Sequence, residues 1–239
     1  MQTICSLPVS TKARLAGLFF LLYAATGGVG YGVSQSLIIS GDAAATAGNI
    51  LANERTFRLA IAANLLSAAC YLVVAALLYD VFKLVDRTVA RLAIFFLMIS
   101  CAIGAFDSLF QYAALDVLQP NSYLGAFDIP QRQALAHLLL KQNVRALDMG
   151  LIFFGFMWIV LGHLIIRSRF LPRIVGVIAV FDGLWYLTHL YRPLAAALLP
   201  YTMMVPAVGG IGIMLWLTIK GVDTRRVNEL SQSSLAGRP

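Results

Sequence analysis

Residues 57–79 read FRLAIAANLLSAACYLVVAALLY, and no charged residue lies between Arg58 and Asp80. At 1.5 Å per residue, a helix of this length extends for about 34 Å, which is enough to cross the ~30 Å hydrocarbon layer of a membrane. Backbone amide and carbonyl groups cannot remain unpaired in lipid, so an apolar run of this length predicts a transmembrane helix. The same pattern recurs along the rest of the chain.

Six stretches of the chain have the length and composition of a span. The predicted spans cover residues 15–39, 57–79, 92–118, 146–166, 174–191 and 201–219. The predicted fold class is an all-α membrane protein, a bundle of six transmembrane helices with short interfacial helices in the outer loops. A cytoplasmic N-terminal segment (1–14) and a disordered cytoplasmic tail (220–239) are predicted to flank the transmembrane domain (15–219).

The composition supports a membrane protein. Of 239 residues, 60% are hydrophobic and 12% are charged, and the mean hydropathy is +0.81. Soluble domains have roughly 45–50% apolar and 25% charged residues. The net charge of +7 does not indicate a nucleic-acid partner, because the basic residues lie between apolar runs and not on one solvated face. The lipid bilayer is therefore the predicted environment.

The positions of lysine and arginine predict the orientation, since positively charged loops stay on the cytoplasmic side. With the N-terminus inside, the basic residues on the outer side are Arg55, Arg58, Arg132, Lys141, Arg145 and Arg192. The other twelve of the eighteen lie on the inner side. Both termini are therefore predicted in the cytoplasm, and the protein is predicted in the plasma (cytoplasmic) membrane.

Two of the predicted outer loops carry helix-start signals. Asp42 is a suitable N-cap for a short helix over residues 43–53. Asp128 followed by Pro130 predicts a second helix start. This second helix either lies in the membrane interface or extends the fourth transmembrane helix outward, and the sequence leaves both alternatives open.

Four strings of the sequence resemble a known family. They are residues 41–54 (GDAAATAGNILANE, followed by Phe57-Arg58), 153–155 (FFG, with Leu161-Gly162), 167–176 (RSRFLPRIVG) and 215–221 (LWLTIKG). From about Arg14 to Gly221, the chain resembles the bacterial multi-pass membrane family catalogued as domain of unknown function 4386. Gly48 departs from the alanine-like residue expected there. The resemblance implies a protein of the bacterial inner membrane, and it implies no catalytic residue, cofactor or substrate.

Several polar side chains interrupt the predicted spans, where a charged residue at a helix centre costs roughly 2.5–3.5 kcal/mol on insertion scales. Gln111 follows Asp107 by one helical turn, and His189 follows Asp182 by two turns, so each pair is expected on one helix face. We predict that these residues line one polar pocket open to the outer side. Its members are Asn64, Asp107, Gln111, Asp148, Asp182 and His189.

Three functions of the predicted pocket remain open. The first is binding or transport of a small solute, lipid or ion from the outer side, as a transporter, sensor or accessory subunit, with Arg58 or Arg145 as counter-charge. The second is an intramembrane enzyme that uses Asp182 or Asp107 as acid or base and His189 as its partner. The third is a structural membrane subunit, in which the polar side chains only pair helices.

No cofactor and no metal site are predicted. His163 and His189 differ in predicted depth by ~15–20 Å, so they cannot bind one metal ion or one haem. His137 and His189 share the outer side, but a site built on them would need carboxylates such as Asp148. The sequence contains no P-loop, H-E-x-x-H, G-x-S-x-G or paired C-x-x-C motif, so nucleotide-driven transport and the familiar hydrolase chemistries have no support.

Overall fold

The computed structural model describes residues 7–119, 125–168, 171–202 and 204–222. Every regular element in this part of the chain is a helix, which confirms the all-α prediction. The elements are α1 (Val9–Ser36), α2 (Ala43–Ala52), α3 (Glu54–Phe82), α4 (Arg87–Leu118), α5 (Ile129–Ser168), α6 (Arg173–Leu187), a 3₁₀ turn (Thr188–Leu190), α7 (Arg192–Thr202) and α8 (Met204–Ile219). Most of the predicted tail, from residue 223 onward, lies outside the described residues.

Five helical segments of the described chain are long and apolar enough to cross a membrane. They are α1, α3, α4, α5 and the continuous run Arg173–Leu190, with 28, 29, 32, 40 and 18 residues. The sixth predicted span falls on α7 and α8, which have 11 and 16 residues. A crossing needs about 20 residues, so neither helix reaches that length alone, and the sixth span is not confirmed.

The chain forms two compact units. Unit 1 comprises Met1–Leu22, Cys70–Ser100 and Leu151–Pro239, and unit 2 comprises Tyr23–Ala69 and Cys101–Gly150. The boundaries fall inside α1, α3, α4 and α5, so each of these long helices contributes one part to each unit. Unit 2 also contains α2, and unit 1 also contains α6, α7 and α8.

The short helix α2 is anchored in the apolar core of unit 2. Asp42 caps its N-terminus as predicted, because its Oδ1 accepts a hydrogen bond from the backbone N of Ala45 at 2.8 Å. Ile50 of α2 is fully buried and belongs to the same core as Phe57 of α3 and Leu115 of α4. This burial fixes α2 against the long helices.

Helix α5 begins at Ile129, directly after the predicted cap, and continues without interruption to Ser168. Asp128 Oδ1 accepts a hydrogen bond from Gln131 N at 2.8 Å, and Gln131 Oε1 accepts one from Asp128 N at 3.1 Å, which closes a capping box. No proline follows Gln131 within the helix, so nothing separates this start from the fourth span. The prediction of a second, separate interfacial helix is therefore wrong, and the alternative of one extended helix is correct.

Four glycines bring α5 and α6 close together in unit 1. A Cβ atom at Gly155 would lie 2.8 Å from the carbonyl O of Gly183, and one at Gly162 would lie 2.7 Å from the carbonyl O of Gly176. The order of the pairs is reversed along the two helices, so α5 and α6 run antiparallel. Close backbone contact through small residues is a common way of packing helices in membranes.

Unit 1 also contains a charged group built on Asp80. Lys12 Nζ lies 2.6 Å from Asp80 Oδ2, and Lys83 Nζ lies 2.5 Å from Asp80 Oδ1. Helix α1 already begins at Val9, so Lys12, which belongs to the predicted N-terminal segment 1–14, is helical and buried. Its pairing with Asp80 explains how this lysine is buried without leaving an isolated charge.

Asp86 caps the N-terminus of α4 in unit 1. Its Oδ1 accepts hydrogen bonds from the backbone N of Val89 and of Thr88, both at 3.0 Å, and its Oδ2 lies 3.2 Å from Arg167 NH1. The hydrogen bond from Val89, with the further one from Thr88 and the nearby Arg167, holds the pKa of the Asp86 carboxyl group below its usual value. The carboxylate therefore stabilises both the helix start and a contact with α5.

Candidate functional site

A group of buried polar side chains lies between α4 and α5 in unit 2. Its members, which we call the α4–α5 polar cluster, are Asp107, Ser108 and Gln111 of α4 and Asn143 of α5. The exposed fractions of these four residues are 8%, 0%, 3% and 6%. Burial of four polar side chains inside segments long enough to span a membrane is costly unless they are paired with each other, with water or with a ligand.

Hydrogen bonds within the cluster join the two helices. Asn143 Nδ2 donates to the backbone O of Asp107 at 3.0 Å, and Gln111 Nε2 donates to Asn143 Oδ1 at 3.4 Å. Ser108 Oγ lies 3.4 Å from Asp107 Oδ1, which is a long hydrogen bond. Asn143 is therefore the residue through which α5 reaches both Asp107 and Gln111.

The cluster retains an unused acceptor. Gln111 Oε1 is buried and has no hydrogen-bond partner among the described residues. A buried carbonyl oxygen without a partner costs about 1–3 kcal/mol, so this atom requires a donor or a cation that the described side chains do not supply. The adjacent Asp107 side chain adds two carboxyl oxygens, and together they form an oxygen-rich site suited to a cation or to a hydrogen-bond donor.

Two further members of the predicted pocket also lie in unit 2. Asn64 of α3 is half-buried beside α1, where a Cβ atom at Gly30 would collide with its side chain. Asp148 of α5 is half-buried and interacts electrostatically with Tyr31 of α1. These contacts place Asn64 and Asp148 against α1, whereas the cluster lies between α4 and α5.

The two predicted counter-charges are exposed. Arg58 Nε lies 2.8 Å from Glu54 Oε1, one helical turn away on α3, and its side chain is 43% exposed. Glu54 Oε1 also accepts a hydrogen bond from Gln119 Nε2 at 3.2 Å. Arg145 of α5 is exposed as well. Because Arg58 already pairs with Glu54, its role as a counter-charge of the pocket has no support in the described contacts.

The remaining predicted residues, Asp182 and His189, lie in unit 1. Asp182 of α6 is 1% exposed, and neither of its carboxylate oxygens has a hydrogen-bond partner among the described residues. His189 packs against the ring of Trp185 at a centroid distance of 5.6 Å. It lies in the 3₁₀ turn after α6, which has about 3.0 residues per turn, so the α-helical register that was expected to align it with Asp182 ends at Leu187.

The prediction therefore found part of the cluster and missed the rest. Asp107 and Gln111 were identified, whereas Ser108 and Asn143 were not. Asn143 precedes the predicted fourth span, which begins at residue 146, and was assigned to the outer loop. The spacing of the buried residues Ala136, Leu140 and Asn143 was the available signal, because it places all three on one helix face. One pocket that holds all six predicted residues stays a prediction.

No group of three or more histidine, cysteine, aspartate or glutamate side chains in the described part of the chain is arranged to bind a metal ion. The cluster offers carboxylate, hydroxyl and amide oxygens, which are ligands for hard cations and not for zinc or haem iron. The cluster is therefore chemically suited to a hard cation or to hydrogen-bond donors.

The described part of the chain is all-helical, and five of its helices have the length and apolar composition of membrane-spanning helices, which is typical of a membrane protein. The model of the family described as domain of unknown function 4386 matches residues 15–221. The chain belongs to this family, as its sequence strings predict. No curated protein and no solved structure shows significant similarity to the chain.

Proposed function

We propose that this membrane protein binds a small solute or ion at the α4–α5 polar cluster, and that the ligand carries a positive charge or hydrogen-bond donors. The observation that carries the proposal is the buried, unpartnered Gln111 Oε1 beside the Asp107 carboxylate. Intramembrane ionisable groups are functional-site candidates, and this one is surrounded by further polar groups. Transport or sensing of the bound ligand from the outer side is the corresponding activity.

The orientation of the protein is part of this proposal. Twelve of the eighteen basic residues lie inside when the N-terminus is cytoplasmic, which favours both termini inside the plasma membrane. That arrangement requires a sixth crossing formed by the region of α7 and α8. A reporter fused after Pro239 tests it: a cytoplasmic reporter supports six crossings, and a reporter accessible from outside intact cells contradicts them.

A structural role is the second candidate function. The hydrogen bonds of Asn143 with Asp107 and Gln111 join α4 directly to α5. Such interhelical hydrogen bonds contribute about 0.6 kcal/mol each in membranes, so the cluster also stabilises the helix pair. Under this role alone, no solute stabilises the protein through the cluster.

A thermal-shift comparison distinguishes the two functions. The melting temperature of the purified protein is measured with lithium, sodium and potassium chlorides, with choline chloride at equal ionic strength, and with small primary amines. A ligand at 100 times its Kd stabilises the folded state by about 2.7 kcal/mol. We expect one of these solutes to raise the melting temperature of wild type and of Asp116→Asn, an exposed α4 control, but not of Asp107→Asn. Equal shifts in all three proteins contradict the proposal.

A further inference from the structure

Asp182 differs from every member of the α4–α5 polar cluster in having no hydrogen-bond partner among the described residues. The residue is 1% exposed, and both carboxylate oxygens are buried without a hydrogen-bond partner among the described residues. It lies near the middle of the run Arg173–Leu190, one of the five segments long and apolar enough to cross a membrane. Neither solvent nor a described donor is therefore available to an ionised form.

The helix that packs most closely on this part of α6 brings no charge. A Cβ atom at Gly183, the next residue, would lie 2.7 Å from the carbonyl O of Gly155 and 2.6 Å from the side chain of Ile159, both on α5. The nearest titratable residue of α5 beyond this contact is His163, which is exposed. The close backbone contact leaves no room for a water layer between the two helices here.

The other elements packed on α6 also keep their titratable groups engaged elsewhere. Helix α8 packs on α6. Lys220 follows the last residue of α8, and its Nζ lies 4.3 Å from the ring centroid of Trp216. The 3₁₀ turn carries His189 against Trp185. Arg173, at the first position of α6, is exposed and more than two turns from Asp182. No cation of the described residues therefore pairs with Asp182.

An ionised carboxylate cannot be maintained in such surroundings. The cost of removing an unpaired charge from water is so large that buried groups neutralise instead. For a carboxyl group without a cation or an N–H donor nearby, neutralisation means that it binds a proton. We propose that Asp182 is a proton-binding site of unit 1, at which the carboxyl group holds its proton at neutral pH. This site is independent of the solute site at Asp107.

Proton binding gives Asp182 a function that a packing residue would not have. Aspartates inside membrane helices form the proton-carrying positions of pumps and transporters. The proton on Asp182 leaves only when water or a base reaches the carboxyl group. Exchange of this proton therefore requires an opening of unit 1 that admits water or a base to the Asp182 side chain, so the site reports on that opening.

Infrared spectroscopy of the purified protein tests the proposal, because a protonated carboxyl group has a C=O stretching band that a carboxylate lacks. Protein labelled with ¹³C at the aspartate side-chain carboxyl is compared with unlabelled protein at pH 7. We expect an isotope-sensitive protonated-carboxyl band in wild type and in the exposed-site control Asp116→Asn, and a decrease of that band in Asp182→Asn. The band should persist in Asp107→Asn, which separates this test from that of the solute site.

Two outcomes overturn the proposal. One is the absence of any isotope-sensitive protonated-carboxyl band from wild type at pH 7, a result that needs no variant to fold. The other is a band that survives unchanged in Asp182→Asn. If Asp182→Asn does not fold, Asp182→Glu is used instead. The new glutamate carries no label in aspartate-labelled protein, so its protonated-carboxyl band must lie at the unlabelled position. A band that keeps the isotope shift overturns the proposal.

Discussion

Two aspartates inside membrane helices have opposite surroundings in this protein. Asp107 of unit 2 has Ser108, Gln111 and Asn143 around it, whereas neither carboxyl oxygen of Asp182 in unit 1 has a hydrogen-bond partner among the described residues. Both residues are almost fully buried. The comparison shows that burial alone does not define a site: the neighbours decide whether a carboxyl group is suited to bind a solute or only a proton.

The largest effect is expected from the close contact of α5 with α6 at Gly183, the residue after Asp182. Gly183→Ala places a Cβ atom 2.7 Å from the backbone O of Gly155, and a helix backbone cannot yield locally, so α5 and α6 must separate. We expect a loss of stability of about 2–3 kcal/mol. The measurement is the melting temperature in detergent.

Gly104→Ala is the matched control, because nothing lies within 4 Å of a Cβ atom at that helical position. Replacing an unconstrained helical glycine by alanine favours the helix by up to about 1 kcal/mol. Equal melting temperatures for the Gly183 and Gly104 variants would show that α5 and α6 leave room for a Cβ atom at Gly183, which contradicts the close contact.

The next effect is expected from the residue that connects the cluster across the two helices. Asn143→Leu removes the donor to the Asp107 backbone and the acceptor of the Gln111 amide, and leaves the Gln111 side chain without a described partner. We expect a loss of about 1–2 kcal/mol in stability together with the loss of any solute-dependent thermal shift. Gln142→Leu, at the neighbouring half-buried position, is the control that should retain the shift.

A smaller effect is expected at Asp182 itself. Asparagine has nearly the shape of a protonated aspartic acid and carries no charge, so Asp182→Asn should change the stability by less than about 1 kcal/mol. Asp182→Arg places a charge that cannot be neutralised in the same position and should abolish folding. Folding of Asp182→Arg at wild-type yield and melting temperature would mean that the position is accessible to water.

The smallest effect is expected at the capping residue Asp86, and it depends on pH. Because the folded state lowers the pKa of Asp86, its stabilisation is present above the usual aspartate pKa of about 3.9 and is lost as the pH falls through the lowered value. Asp86→Asn should retain the helix cap but lose the contact with Arg167. The melting temperature of wild type should exceed that of Asp86→Asn at pH 6, and the difference should shrink below about pH 4. A pH-independent difference would exclude the carboxylate charge as its cause.

The features that could be predicted from the sequence are local. Apolar runs predict spanning helices from their length alone, and five of the six predicted spans agree with helices long and apolar enough to cross a membrane. The caps at Asp42 and Asp128 follow from adjacent residues and were predicted correctly. The proximity of Asp107 to Gln111 follows from one turn of one helix. These properties need no knowledge of how different helices pack.

The features that were missed depend on contacts between helices or on a change of helix type. Asn143 joins the cluster only because α5 begins at Ile129, almost five turns before the predicted span, and packs on α4. The close contact of Gly155 with Gly183 depends on which two helices meet, and the seven-residue spacing of glycines that both segments share was not used to predict it. The change to a 3₁₀ turn at Thr188 removes His189 from the expected α-helical register. In each case, tertiary packing and not local pattern decides the outcome.

The central claim is that the α4–α5 polar cluster holds a solute that satisfies Gln111 Oε1. An experimental structure in a lipid nanodisc, solved with the solute that gives the largest Asp107-dependent thermal shift, tests this claim most directly. We predict non-protein density within hydrogen-bonding or ion-coordination distance of both Gln111 Oε1 and the Asp107 carboxylate. A dry cluster in which a protein donor satisfies Gln111 Oε1 would contradict the account and leave the structural role.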